Sequence, residues 1–344
     1  FEAIRYAIES HRALLVSPTA SGKSLIIYIL VRYYQQMKLK TLILVPTTSL
    51  VEQMYSDFED YGWSSNMYCQ KIYQGYTTKI TKDVVISTWQ SIYKSLTGIM
   101  TKLHLCKYRF GLTGTLDGTQ THRLVLEGLF GTVERVTTTK KLMESNHLAQ
   151  LNIECIVLKH AEEECKNVKG FNYAEEINYL VLQPTRNNFI TNLCSNLKGN
   201  TLCLFQLVEK HGAVLYQMMK DFDRKVFFVH GGTDTKTRED IRQIVEKEKD
   251  AIIIASYGTF STGINIRNIN NVVFSSPSKS RIRVLQSIGR GLRRSETKHS
   301  IRLFDLSDDL SVKEHQNFTL RHFHARLNIY NQEEFNYKIN KVNI

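Results

Sequence analysis

Short apolar runs alternate with segments of helical period along most of this 344-residue chain. In the first half the runs are "RALLVS" at 12–17, "KTLILVP" at 40–46, "DVVIS" at 83–87 and "KYRFGLTG" at 107–114. They are continuous and rich in β-branched residues, as strands covered on both faces must be. Helices are predicted from Lys23 onward and over 49–61.

The second half repeats the pattern with "TLCLFQ", "KVFFVHG", "DAIIIAS", "NVVFSS" and "IRLFDL", separated by predicted helices near 208–220, 234–248 and 281–292. Strands that alternate with helices imply parallel sheets, so the fold class expected is α/β with two similar sheets in tandem. The length fits two domains of about 150 residues each. The stretch 136–170 mixes a short helix, a strand and a charged segment and reads as the linker. From about Ser311 aromatic and basic residues fall at helical spacing, which predicts a helical C-terminal tail. The expected bounds are 1–145 for the first domain, 146–310 for the second and 311–344 for the tail.

Composition narrows the class. Lysine plus arginine exceed aspartate plus glutamate by 45 to 33, which favours a polyanionic partner, nucleic acid before membrane. There is no run of about 18 apolar residues, so no membrane span is expected. The opening "FEAIRYAIES" reads as an amphipathic helix and not as a signal peptide, and without an initiator Met the chain is expected to be part of a longer one. The six cysteines form no CxxC pair and no zinc-like spacing, so free thiols in a reducing cytoplasm are expected. The eleven histidines form no metal-like cluster.

The first chemical motif is "SPTASGKSL" at 17–25, between a predicted strand and a predicted helix. That context makes a phosphate loop credible, because N–H groups of the turn and the helix N-terminus can point at phosphate oxygens. Thr19, Ala20, Ser21, Gly22, Lys23 and Ser24 would form the cradle; Lys23 would reach the β and γ phosphates and the Ser24 hydroxyl would hold Mg²⁺. Ser17 stands where the loop pattern has its first glycine. The bland alternative is a Gly-Lys-Ser turn opening an ordinary helix. The second motif is "QSIGRGLRR" at 286–294, in which Gln286, Arg290 and Arg293 are spaced four and three apart and share one helical face. A guanidinium there can neutralise charge developing on a γ-phosphate, or the helix can simply be a basic surface.

These motifs, in this order, resemble superfamily 2 helicases, and among them the phage recombination and branch-migration helicases. "PTASGKS", "VPTTSLVEQ", "STWQS", "GLTGT", "SYGTFSTGINI" and "QSIGRGLRR" match successive family motifs across nearly the whole chain. The resemblance implies two tandem RecA-like domains with ATP in the cleft between them, and an ATP-dependent motor using ATP and Mg²⁺. It also implies action on branched, forked and single-stranded DNA or RNA–DNA hybrids in recombination, repair and replication, by a cytoplasmic, monomeric protein. By residue it implies that Lys23, Gln286, Arg290 and Arg293 act in catalysis, that Gly263 and Asn265 lie near the ATP sugar, and that Thr113 and Thr115 couple ATP state to domain movement. Pro46, Thr47, Gln53, Thr88, Trp89 and Gln90, with Phe205, His230, Gly231 and Thr259, fall where such helicases touch the nucleic-acid backbone. Thr47 and Thr88 are equally plain helix N-caps, Trp89 and Phe205 core aromatics, and Arg238 a partner for a carboxylate.

One part of the family pattern is missing. No DExH or DExD box stands between "STWQS" and "GLTGT", although its carboxylates would hold Mg²⁺ and polarise the attacking water. "SLTGIMTKL" reads as the helix that follows the box, which puts the deletion around Lys94 and Ser95. Losing a central strand would leave a slot in a parallel sheet. The Gln that reads adenine in many relatives would precede Phe1, and the interval "YQGYTTKITK" is short enough to conceal a second cut. The competing readings are an ATPase-dead nucleic-acid scaffold and a translocase subunit of a restriction or remodelling complex.

Overall fold

The computed structural model describes every residue except 20, 94, 117, 118, 264, 265, 267, 277 and 293–298, and the side chains of 235, 261–263 and 290. The chain divides into two compact units, Phe1–Thr137 and Thr138–Ile344. The second unit begins earlier than the sequence suggests. Thr138 caps the short helix Thr139–Glu144, and Met143 of that helix packs with Leu148 and Leu151 in the second unit's core.

The first unit holds six strands: β1 (Arg12–Val16), β2 (Thr41–Val45), β3 (Cys69–Ile72), β4 (Val84–Thr88), β5 (Arg109–Thr113) and β6 (Val133–Arg135). They form two separate parallel sheets of three, ordered β5-β1-β6 and β2-β4-β3. Helix Lys23–Gln36 belongs to both. Its Ile26, Leu30 and Tyr34 pack with Ala13 and Leu15 on one sheet, and its Val31, with Ile27 and Tyr28, joins Ile43 and Val45 on the other. The helix therefore lies across the seam between the two sheets. Among the described residues β5 and β2 are each paired on one side only, and Leu42 of β2 is 41% exposed in a strand whose Ile43 and Val45 are buried.

The second unit builds one parallel sheet of seven: β7 (Gln150–Lys159), β8 (Thr201–Phe205), β9 (Val226–Val229), β10 (Ile252–Ser256), β11 (Asn271–Phe274), β12 (Ser300–Asp309) and β13 (Tyr337–Asn343), in the order β13-β7-β12-β11-β8-β10-β9. Successive side chains serve opposite faces, as the two-residue period of a strand requires. Leu202, Leu204, Ile253 and Val272 enter one core, and Cys203, Phe205, Ile252 and Val273 the other. This is why the apolar runs are unbroken.

Two features of this sheet differ from expectation. The strand inside the presumed linker is β7, which pairs along its whole length with β12 and lies inside the sheet. The tail does contain the helix Phe318–Gln332, but it continues into β13, which pairs with β7. The helix is fixed by a buried ion pair: Arg326 Nε donates to Asp305 Oδ1 and Oδ2 at 3.0 and 2.8 Å, and Tyr330 Oη donates to Oδ2 at 2.8 Å. A second buried set joins Arg186 and His160 to Asp308 at 2.9 and 3.0 Å. Burial alone would raise the Asp308 carboxyl, but the Arg186 charge and the His160 hydrogen bond hold it below the usual carboxylate range. No helix among the described residues is long and apolar enough to cross a membrane.

Candidate functional site

The phosphate-loop candidate sits where β1 ends and helix Lys23–Gln36 begins. Gly22 occupies the N-cap with φ +82°, a left-handed conformation that an L side chain adopts only with strain. Ser17 is fully buried and closes the turn: its hydroxyl bonds Ser21 Oγ at 2.6 Å, and Ser21 Oγ bonds the Pro18 carbonyl at 2.7 Å. A serine in the glycine position is thus part of the loop's own scaffold. The first turn of the helix carries no acidic residue and no side-chain cap, so its N–H dipoles are directed to the loop without competition from a carboxylate.

Lys23 Nζ donates to the carbonyls of Ser17 and Pro18 at 2.9 and 2.6 Å, which places its charge over the loop. The end of β5 abuts the same place. Ser17 N–H donates to the Thr113 carbonyl at 2.9 Å, and a Cβ on Gly114 would stand 3.6 Å from Lys23 Nζ. Thr113 Oγ1 in turn donates to the Thr115 carbonyl at 3.0 Å. The phosphate loop and the threonine motif are therefore one hydrogen-bonded piece. Ser24 Oγ lies 3.1 Å from Tyr61 Oη. Sequence spacing gives no hint of Tyr61, which reaches Ser24 from the far end of helix Thr48–Asp60. Thr19 and Ser21 line the turn, and Ala20 lies outside the described residues. Among the described residues no group of three His, Cys, Asp or Glu could hold a metal ion.

A second cluster forms at the carboxyl ends of β2, β4 and β3. Pairing in register puts Val45 opposite Thr88, and Ile72 opposite Ser87. Pro46 and Thr47 thereby come beside Thr88, Trp89 and Gln90, and Gln90 Nε2 donates to the Pro46 carbonyl at 3.2 Å. Thr47 caps helix Thr48–Asp60 by accepting from Leu50 N–H, while the Thr88 hydroxyl is buried and bonded to Ser91. Gln53 and Gln90 are exposed and Trp89 is half-buried. Of the two residues around which the sequence suggests a deletion, Lys94 lies outside the described residues and Ser95 caps helix Leu96–Lys102.

In the second unit Gln286 and Arg290 stand on helix Arg281–Gly291, with the Arg290 side chain and all of Arg293 outside the described residues. The helix presses onto the sheet at its end, where a Cβ on Gly291 would meet Ile301 Cδ1 at 2.5 Å. Gly263 ends helix Tyr257–Gly263, and Asn265 is outside the described residues. His230 and Gly231 follow β9, and among the described residues Arg238 bonds backbone carbonyls and no carboxylate: its Nη2 donates to the Gly231 and His230 carbonyls at 2.9 and 3.3 Å. Two expected nucleic-acid contacts require correction. The Phe205 ring is fully buried beside Gly212 and Phe228, so it is a core aromatic. Thr259 is buried and its hydroxyl is 2.8 Å from Ser256 Oγ, so its side chain serves the turn after β10.

Comparison with known proteins agrees with these motifs. Residues 2–120 match the family described as type III restriction enzyme, res subunit, and residues 185–295 the helicase conserved C-terminal domain. The chain is 34% identical to the ATP-dependent DNA helicase uvsW of Enterobacteria phage T4, over 100% of this chain and 76% of that one. That alignment spans 384 positions against 344 residues here, so the difference falls opposite gaps in this chain. The crystal structure of T4 UvsW superposes with a TM-score of 0.51 at 32% identity, covering 99% of this chain and 76% of that one. The type ISP restriction-modification enzyme LlaBIII bound to DNA gives a TM-score of 0.66 at 13% identity, over 99% of this chain and 31% of that one, a likeness of fold alone.

Proposed function

The chain belongs to the superfamily 2 helicases, in the family of the phage ATP-dependent DNA helicase UvsW, and from that premise we propose what it acts on and which residues do the work. An ATP-dependent DNA helicase of this family must convert phosphate chemistry into a changing grip on a strand. We assign the phosphates to Lys23 and the loop 19–24, and the coupling to Thr113 and Thr115. The observation that carries this reading is the Ser17–Thr113 hydrogen bond, which joins the loop to the threonine motif without an intermediary. We assign Gln286, Arg290 and Arg293 catalytic roles as well, as the family pattern implies.

Pro46, Thr47, Gln53 and Gln90, with Trp89 beside them, form the DNA edge of the first unit, and His230 and Gly231 the DNA contacts of the second. Phosphate contacts of this type carry no base information, which suits movement along any sequence. We propose forks and other branched DNA, and R-loops, as substrates for a monomer acting in the cytoplasm of the host.

Mg²⁺ prefers oxygen ligands, few of them from protein and the rest from phosphate and water. The Ser24 hydroxyl is such a ligand; when bound, the ion would neutralise charge on the β and γ phosphate oxygens. The family pattern puts the carboxylates between "STWQS" and "GLTGT", where this sequence carries no DExH or DExD box.

DNA-stimulated ATP hydrolysis by the 344-residue chain, with Lys23→Ala as control, tests the reading. Turnover that Lys23→Ala lowers by at least a hundredfold supports the motor. Strand binding without any ATP turnover would instead identify the chain as a scaffold.

A further inference from the structure

The connection that follows β3 forms a surface cluster that none of the residues above requires. Tyr73, Gln74, Gly75 and Tyr76 make a tight turn closed by Tyr76 N–H donating to the Tyr73 carbonyl at 2.9 Å, with Gly75 at φ +94°. A positive φ at the third position is what a turn of this kind needs, and glycine supplies it without strain. The turn projects Tyr76 outward, 44% exposed, and holds it from behind. Its ring lies 4.5 Å from the Tyr73 ring, and Lys71 Nζ is 5.3 Å from its centroid and 4.7 Å from that of Tyr55. Lys71 Nζ also donates to Glu52 Oε2 at 2.9 Å, and Tyr73 Oη bonds the other Glu52 oxygen. The Tyr73 ring and the Lys71 ammonium, both bonded in turn to Glu52, thus flank a Tyr76 ring that is 44% exposed.

Position gives the cluster its meaning. It stands at the carboxyl end of β3, beside β4, whose end carries Thr88 to Gln90, and Glu52 precedes the exposed Gln53. Lys79 and Lys82 follow in the same connection. An exposed aromatic backed by a second ring, in a lysine-bearing connection, is an arrangement on which bases of a single strand can stack, since every base has a π-face and lysines can meet the phosphates.

We propose that Tyr76 is a stacking platform for a base of single-stranded DNA passing along the β2-β4-β3 edge, a proposal that rests on the assignment of that edge to DNA. The test uses the 344-residue chain and single-stranded oligonucleotides carrying 2-aminopurine at successive positions, beside a duplex of the same sequence. The wild type is expected to change the probe's fluorescence at a restricted set of positions. Tyr76→Ala is expected to lose that signal and roughly tenfold in single-strand affinity, with duplex affinity kept. Tyr76→Phe keeps both, and Tyr76→Leu, which retains bulk without a π-face, behaves like Tyr76→Ala. Wild-type binding by Tyr76→Ala, or equal losses on single strand and duplex, overturns the platform while leaving the edge intact. If Thr47→Ala and Gln90→Ala also bind as the wild type does, the assignment of the edge itself falls.

Discussion

The two units are built from the same kind of sequence, yet one joins all its strands in a single sheet and the other does not. In the second unit seven parallel strands pair in one series, and three consecutive residues of β10, Ile252 to Ile254, are fully buried between helices on both faces. In the first, six strands split into two sets of three, held as neighbours by the helix Lys23–Gln36. A parallel strand is stabilised by pairing on both edges and by cover on both faces, so β2 and β5 each forgo half of their ladder. The contrast teaches that the chemistry and the open edges share an address: β5, which abuts Lys23, is among the described residues one of the four strands of the first unit that pair on one side only.

The comparison can be broken most sharply at the second unit's buried charges. Arg326→Ala leaves Asp305 buried without its cation and is expected to cost about 3–5 kcal/mol, lowering the denaturant midpoint of the second unit while the first unit's transition stays in place. Equal loss in both transitions would show that the units do not unfold separately.

Acid gives the next largest effect. Burial, reinforced by the Arg186 charge, pushes His211 down to about 3. Its folded value lies below its unfolded one, so the stability it confers is complete above pH 6.5 and is lost as pH falls from there toward 3, by at most about 1.4 kcal/mol per pH unit. Asp308, also depressed, adds its own loss below the ordinary carboxylate range. Thermal melts between pH 7 and 4 are expected to lower the second unit's transition, and a His211→Asn variant to flatten that slope.

The smallest effect belongs to the open edge. Leu42→Lys places a charge on a residue already 41% exposed and is expected to change stability by less than about 0.5 kcal/mol. It is also expected to reduce self-association, because lysine on an exposed edge discourages strand addition. Sedimentation of the two proteins checks it; a large destabilisation would mean that Leu42 is covered after all.

Much of this was legible in the sequence because the central strands are continuous apolar runs, and the phosphate loop and the strand-end motifs are local. β3, "CQKI", and β6, three residues long, carry too little apolar signal to be read. β13, "YKINKVN", hides because it lies at an edge: Lys338 to Lys341 are all exposed, so only its ends touch the core. β7 was legible as a strand but not as a member of the second sheet, since its partners lie far along the chain. Phe205 shows the reverse case: its motif position allows either a nucleic-acid contact or a core aromatic, and only its burial selects the core. Tyr61 and the Tyr76 turn depend on tertiary placement and have no signature in spacing.

The pairing of β7 also fixes when the second unit can be finished. β7 is its first strand to leave the ribosome, yet both of its neighbours, β12 and β13, are the last. At synthesis rates of about 5–20 residues per second the strand waits roughly 10–40 s for β13. Through that interval an apolar ten-residue segment stands without either partner, and the helices Glu162–Val168 and Tyr173–Leu182, made immediately after it, are the first cover available to it.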